Sequence, residues 1–243
     1  TSYIINNFKE KCHTIFSDIM NVFKYINDTF KDTPDLVERK IKYSFSCVHI
    51  YYIETICSSE QINNFVLKNL TNPNGPRRFK DILAGPNFKE IDLGRLEFYL
   101  YNGFTALVYK GKIYVIETKA SLDRSVSFPE MEQDLYGAKD ALLENYQKNI
   151  GLIKRRLKSS HLKTKEYKLG RFTQTSTGVL YVDNITDMSL VKRIDALLNK
   201  IDTDSVIDVG ELKQFLTMDK GNVFPPTKLT ERPDVIVKAL LDG

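Results

Sequence analysis

The spacing of apolar positions changes period several times along the chain, and each change marks an element. Ile15, Ile19, Val22, Phe23 and Ile26 recur at steps of one, three and four, which places them on one face and predicts an amphipathic helix within the first 30 residues. Thr33-Pro34-Asp35 interrupts that pattern. The run Phe45 to Ile53 is rich in aromatic and β-branched residues and predicts a buried strand. Ser58, followed three residues later by Gln61, has the form of a capping box and predicts a helix carrying Ile62, Phe65, Val66 and Leu70. Asn72-Pro73-Asn74-Gly75-Pro76 is a loop by its turn chemistry. Beyond it the pattern predicts a short helix over Leu93 to Tyr101. Two strands follow, Phe104 to Tyr109 and Ile113 to Glu117, paired as a hairpin through Lys110-Gly111.

Ser121 to Pro129 is polar, lacks an apolar period and ends in proline, the features of a boundary between domains. Leu135, Leu142, Tyr146, Ile150, Ile153 and Leu157 then share one face of a predicted long helix. Its acidic start (Glu130, Glu132, Asp134) and basic end (Lys154, Arg155, Arg156, Lys158) complement the helix dipole, worth up to ~1 kcal/mol at each terminus. Glu166 to Thr175 and Gly178 to Val182 are predicted strands. Leu190, Ile194, Leu197 and Ile201 form a helical stripe, Ser205 to Ile207 a short strand and Gly210 to Leu216 a short helix. Pro233 suits the first turn of a last helix carrying Val235, Val237, Leu240 and Leu241. The expected fold class is α/β: two small α/β subdomains joined by a short linker, with a long helix opening the second. The boundaries are an N-terminal helical segment at 1–40, a first subdomain at 41–122 with alternating strands and helices, a linker at 123–129 and a second subdomain at 130–243.

Composition narrows the function more than the fold. Of 243 residues, 42% are hydrophobic and 27% charged, enough to build a core. The net charge of +4 is too small to argue for nucleic-acid binding, and none is expected. Cys12, Cys47 and Cys57 are odd in number and lack metal-ligand spacing, which fits a reducing compartment with thiols as small core residues. No run of 18 apolar residues occurs, so no membrane span is expected within these residues, and no signal peptide is visible. The absence of an initial Met and the apolar stop at Leu240-Leu241 read as a piece of a longer chain.

Three stretches carry candidate chemistry. Asp202 to Asp208 has the alternating acids of a calcium loop, but Val206, Ile207 and Lys213 occupy positions that need a ligand, a turn glycine and a bidentate acid. A connection leading to an Asp208-x-x-Glu211 helix start explains it better. Glu117-Thr118-Lys119, with Asp92 upstream, resembles the layout of Mg²⁺-dependent PD-(D/E)xK nucleases, in which two carboxylates hold the metal and a lysine polarises water. A solvent-facing strand end accounts for the same letters. Lys154 to Lys158, followed by Lys163, Lys165 and Lys168, is the one concentrated basic region. It suits a solvated helix end first, an anionic lipid surface second, and nucleic acid last, since no aromatic platform is interleaved. His13, His49 and His161 lie near no nucleophile elbow, and no phosphate-binding glycine loop occurs. No catalytic residue, metal site or cofactor is expected.

The second half carries an ordered series of motifs. They run through Arg124-Ser125-Val126, Pro129-Glu130, Gly137-Ala138-Lys139-Asp140, Glu144, Asn149 and Leu152 to Ser159, with Arg155 and Arg156 inside that last stretch. Gly170-Arg171, Val179 to Val182, Arg193-Ile194 and the stretch from Ile201 through Asp202, Asp204 and Gly210 to Leu212 come next. Phe224-Pro225, Thr230-Glu231-Arg232-Pro233-Asp234 and Ala239-Leu240-Leu241 close the series. In this the sequence resembles the A subunits of GerA-family spore germinant receptors over about half its length, while the first 120 residues agree in outline. Two departures stand out. Ala138 replaces a usual proline, and Gly170 to Gln174 lacks two of the family's basic residues, at Phe172 and Gln174.

The resemblance implies an N-terminal region on the cytoplasmic (spore core) side of the inner spore membrane, followed by spanning helices absent from this sequence. It implies assembly with B and C subunits in a complex that turns nutrient binding into germination, and no enzymatic activity. The expected role is a signalling and assembly domain in which Thr230 to Asp234 sets the angle at the membrane. Two other roles compete with it: a small-molecule module closing two lobes around a germinant or metabolite, and the Mg²⁺ nuclease using Glu117 and Lys119.

Overall fold

The computed structural model describes residues 2–44, 46–72, 79, 86–121, 140–217 and 227–243, with side chains from residue 15 onward. The chain clusters into two compact units. One comprises Thr1–Leu122 with Lys158–Ser160, the other Asp123–Leu157 with His161–Gly243.

The first unit opens with α1 (Ser2–Thr29), whose Val22 and Ile26 are buried as the helical stripe requires. β1 (Leu36–Tyr43), β2 (Ser46–Ile53), β3 (Lys89–Ile91), β4 (Phe104–Tyr109) and β5 (Lys112–Glu117) form one sheet in the order β1-β2-β4-β5-β3. Every neighbouring pair is antiparallel. Between them lie α2 (Ser59–Ile62), a π turn over Asn63–Leu67, α3 (Lys68–Thr71), a 3-10 turn over Leu93–Arg95 and α4 (Leu96–Tyr101). Ser58 caps α2 by accepting a hydrogen bond from the Gln61 amide, half of the capping box the sequence suggested. Lys110 and Gly111 both have positive φ, 50° and 79°, the geometry that lets a two-residue turn follow the strand twist.

Two strands escaped the sequence pattern. β1 is an edge strand whose centre is Glu38, Arg39 and Lys40, and charge at an edge blocks further pairing while masking the period-2 signal. β3 is three residues long, too short to show a period. The Asp92 of the nuclease reading follows β3. Ile91 pairs with Ile113, which places Asp92 beside Lys112, about 17 Å along β5 from Glu117 at 3.4 Å per residue. The carboxylates of that reading are not brought together.

The second unit contains α5 (Tyr146–Arg156), β6 (Leu162–Leu169), β7 (Thr175–Val182), α6 (Met188–Leu198), α7 (Val209–Thr217) and α8 (Pro233–Asp242). β6 and β7 form an antiparallel ribbon from Leu162↔Val182 to Leu169↔Thr175. Side chains alternate across it. Leu162, Leu180 and Val182 pack with Ile153 of α5 and with Ile236, Val237 and Leu240 of α8. Leu169, Tyr167 and Val179 pack on the other side with Ile194 and Leu198 of α6 and Leu212, Phe215 and Leu216 of α7. The ribbon is the middle layer of three.

The α/β class holds, with several boundaries corrected. The helix opening this unit runs over 11 residues, and Leu142 lies before it in non-helical chain. Asn145 caps it by accepting from the Lys148 amide, and the apolar stripe runs on across this cap although the helix does not. β6 starts at Leu162 rather than Glu166 and stops at Leu169. Residues 170–174 form the turn, and Ser205 to Ile207 is not a strand. Glu130 to Leu135 and the proposed linker at 123–129 lie outside the described residues.

Candidate functional site

The motif residues of the second half converge on three polar locks within the second unit. The first joins the β6–β7 turn to the segment after α6. Gly170 has φ +83°, and a Cβ there would lie 2.3 Å from Thr173 Oγ1 and 3.0 Å from the Ser205 Cα. Glycine is required both for the left-handed backbone and for the close approach. Arg171 donates from Nε and Nη2 to Asp202 Oδ1 at 3.0 and 2.7 Å, and from Nη2 to Oδ2 at 2.8 Å. Its Nη1 is 3.6 Å from Asp204 Oδ1. The Arg171 and Phe172 amides donate to the carbonyls of Thr203 and Asp204, both at 2.9 Å. Thr173 Oγ1 accepts from the Val206 amide at 3.2 Å and Thr175 Oγ1 donates to the Val206 carbonyl at 2.6 Å. Asp202 and Asp204 are therefore ion-pair partners of Arg171. Asp208 accepts from the Glu211 amide at 2.9 Å while Glu211 accepts from the Ile207 amide at 2.8 Å, the helix start expected there. Gly210 sits in the first turn of α7, where a Cβ would crowd Asp208 Oδ1 at 3.0 Å.

The second lock surrounds the start of α5. Asn149 accepts from the Leu143 amide at 2.7 Å and donates to the Leu143 carbonyl at 2.5 Å, pairing with one residue as a strand neighbour would. Arg156 donates to Asp140. Lys154 is fully buried, Arg155 is half-buried, and only Lys158 and Glu144 among these motif residues are exposed. Lys158 belongs to the first unit, where it donates to Asn102 at 2.6 Å. The basic stretch is thus not a solvated helix end and offers no continuous cationic face to a lipid surface. Periodicity placed these residues on one helix but could not say how many of its sides are covered.

The third lock is Thr230 to Asp234. The Leu142 amide donates to the Glu231 carbonyl at 2.7 Å, tying the motif to the residues before α5. The Arg232 amide donates to Thr230 Oγ1 at 3.2 Å. Its guanidinium grips Asp234 through Nε–Oδ1 at 3.2 Å and Nη2–Oδ2 at 2.6 Å. That hydrogen bonding holds the Asp234 carboxyl below the usual carboxylate range. Pro233 is buried as the first residue of α8, where its missing N–H costs nothing. Gly137 and Pro225 lie outside the described residues.

Sequence reasoning did not single out Gly178. A Cβ there would meet the Tyr146 ring at 2.9 Å, so this glycine lets α5 lie against the ribbon. A glycine within a β-branched run was the available signal. In the first unit His49 is largely buried, its Nδ1 3.0 Å from Glu38 Oε1 and its ring 4.5 Å from that of Phe23. The same Glu38 oxygen accepts from Tyr51 at 2.9 Å. Glu117 accepts from Asn87, and the backbones of Cys57 and Lys119 form an isolated antiparallel β-bridge. Burial pushes the Cys57 thiol up to about 11, which leaves it protonated and inert. Among the described residues, no three acidic, histidine or cysteine side chains gather as a metal site, and no helix is long and apolar enough to cross a membrane.

These locks bind the chain to itself, and comparison with known proteins places the chain in a family. A family profile described as Bacillus/Clostridium GerA spore germination protein matches residues 24–243. Spore germination protein XA of Bacillus anthracis is 26% identical over 205 residues, 80% of this chain and 42% of that protein. Spore germination protein A1 of Bacillus subtilis (strain 168) is 27% identical over 243 residues, 97% of this chain and 49% of that protein. The chain thus spans less than half the length of these curated relatives. Its fold is similar to the crystal structure of the N-terminal domain of the A subunit of the Bacillus megaterium spore germinant receptor GerK3. The TM-score is 0.66 at 24% identity, over 91% of this chain and 86% of that one. The fold likeness and a profile match over all but the first 23 residues agree: this chain belongs to the GerA family of spore germination proteins.

Proposed function

We propose that this chain is the N-terminal signalling and assembly region of the A subunit of a nutrient germinant receptor. In this reading it sits on the cytoplasmic (spore core) side of the inner spore membrane and works with B and C subunits. The family match over residues 24–243 carries the reading. The polar locks support it: their ion pairs and glycine contacts fix backbone geometry, as expected of a rigid transmitting module rather than of a site that turns over substrate. The Thr230–Asp234 lock is the proposed lever, because it fixes the start of α8 and the chain before α5 together.

The test is the pair Pro233→Ala with Asp234→Ala in the full-length protein in spores. The expected outcome is a protein still present in the membrane, with loss of the nutrient response or of co-purification of the B and C subunits. Normal germination together with normal co-purification sinks the reading.

A further inference from the structure

The two sheets end in β1, β3, β6 and β7. A strand edge presents unpaired amides and carbonyls, and charge, proline or shortness commonly blunts it. β1 carries Glu38, Arg39 and Lys40 at its centre, β3 is three residues long, and β6 carries Lys163, Lys165, Glu166 and Lys168. β7 has none of these devices: its eight residues, Thr175 to Val182, include neither a charge nor a proline.

The ladder fixes which of its backbone groups face outward. The Asp183 amide donates to the His161 carbonyl at 3.0 Å. In the register Leu162↔Val182, the odd-numbered residues of β7 therefore turn their backbone groups toward β6, and Ser176, Gly178, Leu180 and Val182 turn theirs away. At Val182 these groups are satisfied locally. Its amide donates to Thr186 Oγ1 at 3.2 Å, and its carbonyl accepts from the Ile185 and Thr186 amides at 3.0 and 2.8 Å. The outward backbone groups of Ser176, Gly178 and Leu180 have no such partner among the described residues, and all three residues are partly exposed.

Donors and acceptors that recur at every second residue match the backbone of another strand, and a second copy of this chain presents the same row. Set antiparallel about a two-fold axis at Gly178, the two β7 strands bring Ser176 opposite Leu180 of the second copy and Gly178 opposite its counterpart. Each pair then exchanges both of its backbone hydrogen bonds, and no outward group of the three residues is left over. Because β7 is uncharged, no like charges come opposite one another. We propose that β7 is a self-docking edge, through which two copies of the chain join their ribbons into one sheet of order β6-β7-β7-β6. The receptor reading is not needed for this inference, which rests on the ladder geometry and on the contrast between the strand edges.

The test uses two differently tagged copies of the full-length protein in membranes, one carrying Thr177→Cys and the other Val179→Cys. In the proposed register these positions face each other as a non-hydrogen-bonded pair, about 4.5 Å apart between Cα atoms, within reach of a disulfide. Mild oxidation is expected to join the two tags several-fold more than when either variant is paired with the unsubstituted chain, which keeps Cys12, Cys47 and Cys57. Ser176→Pro removes an outward amide and no backbone bond to β6, and is expected to abolish that excess. In the unsubstituted protein, exchange of the Gly178 and Leu180 amides is expected to slow several-fold from dilute to concentrated detergent solution. No excess linkage, linkage indifferent to Ser176→Pro, attachment to a different protein instead, or exchange independent of concentration overturns the proposal.

Discussion

The two units, of about 120 residues each, reach order by different means. The first relies on apolar burial. Val48, Ile50, Ile53, Leu96, Leu100, Leu107, Val115 and Ile116 are completely excluded from water in one continuous core. Its most buried hydrogen bond between side chains, Thr105 to Thr118 at 2.7 Å, fastens β4 to the residue just past β5. The second divides its apolar side chains into two small clusters on opposite faces of a two-stranded ribbon. A ribbon of two strands is marginal by itself, so its turn is stitched to the segment after α6 by Arg171, Asp202, Thr173 and Thr175, while Asn149 and Arg232 fix the chain at the starts of α5 and α8. Burial is indifferent to which apolar residue supplies it, whereas a bidentate ion pair or a crowded glycine tolerates few substitutes. The residues that form the three locks all fall in the second unit.

Substitutions can break this contrast, and the largest effect belongs to the first unit. Leu107→Ala should cost about 2–5 kcal/mol, the usual range for a fully buried leucine, seen as a lower denaturation midpoint. Amide exchange should accelerate in β2, β4 and β5 and stay unchanged in β6 and β7. Gly170→Ala should cost about 1–3 kcal/mol through left-handed backbone and the clash with Thr173, with fast exchange confined to the second unit. Equal acceleration in both units would mean that the contrast is false. Asn149→Ala should cost about 1–2 kcal/mol by leaving the Leu143 amide and carbonyl without their partner, and Asn149→Asp should recover less than half of that, since a carboxylate cannot donate. Calorimetric melting of the two variants checks it.

The smallest effect concerns pH. Asp234 has a depressed folded pKa, so its contribution is complete above the unfolded aspartate value near ~3.9 and is lost as pH falls through the lower folded value. Asp234→Asn should therefore melt at a lower temperature than the parent near neutrality, and the two should converge as pH falls through the lowered folded value. Parallel curves throughout would deny the Arg232 pairing any electrostatic role.

The elements that declared themselves in the sequence did so through local physics. The α1 stripe, the Lys110-Gly111 hairpin, the Asp208-x-x-Glu211 start and Pro233 at the head of α8 are each set within a few residues. β1 stayed hidden because an edge strand carries charge where an inner strand carries apolar residues. The apolar stripe predicts a longer helix than α5 because periodicity does not register a cap, and Asn149 pairs with Leu143 only once the chain has folded back. The candidate site was legible as a set of residues but not as contacts. Arg171 and Asp202 are 31 positions apart, and nothing in either neighbourhood announces the other.

By itself, the sequence determined the α/β class, the position of most elements and the family, because periodicity, turn chemistry and motif order are properties of the linear chain. Tertiary structure alone decided that the acids at 202 and 204 hold Arg171. It decided that Lys154 is buried rather than solvated, and that Asp92 stands far from Glu117. These outcomes depend on which distant segments meet, and so on burial, register and backbone approach, which spacing along the chain does not encode.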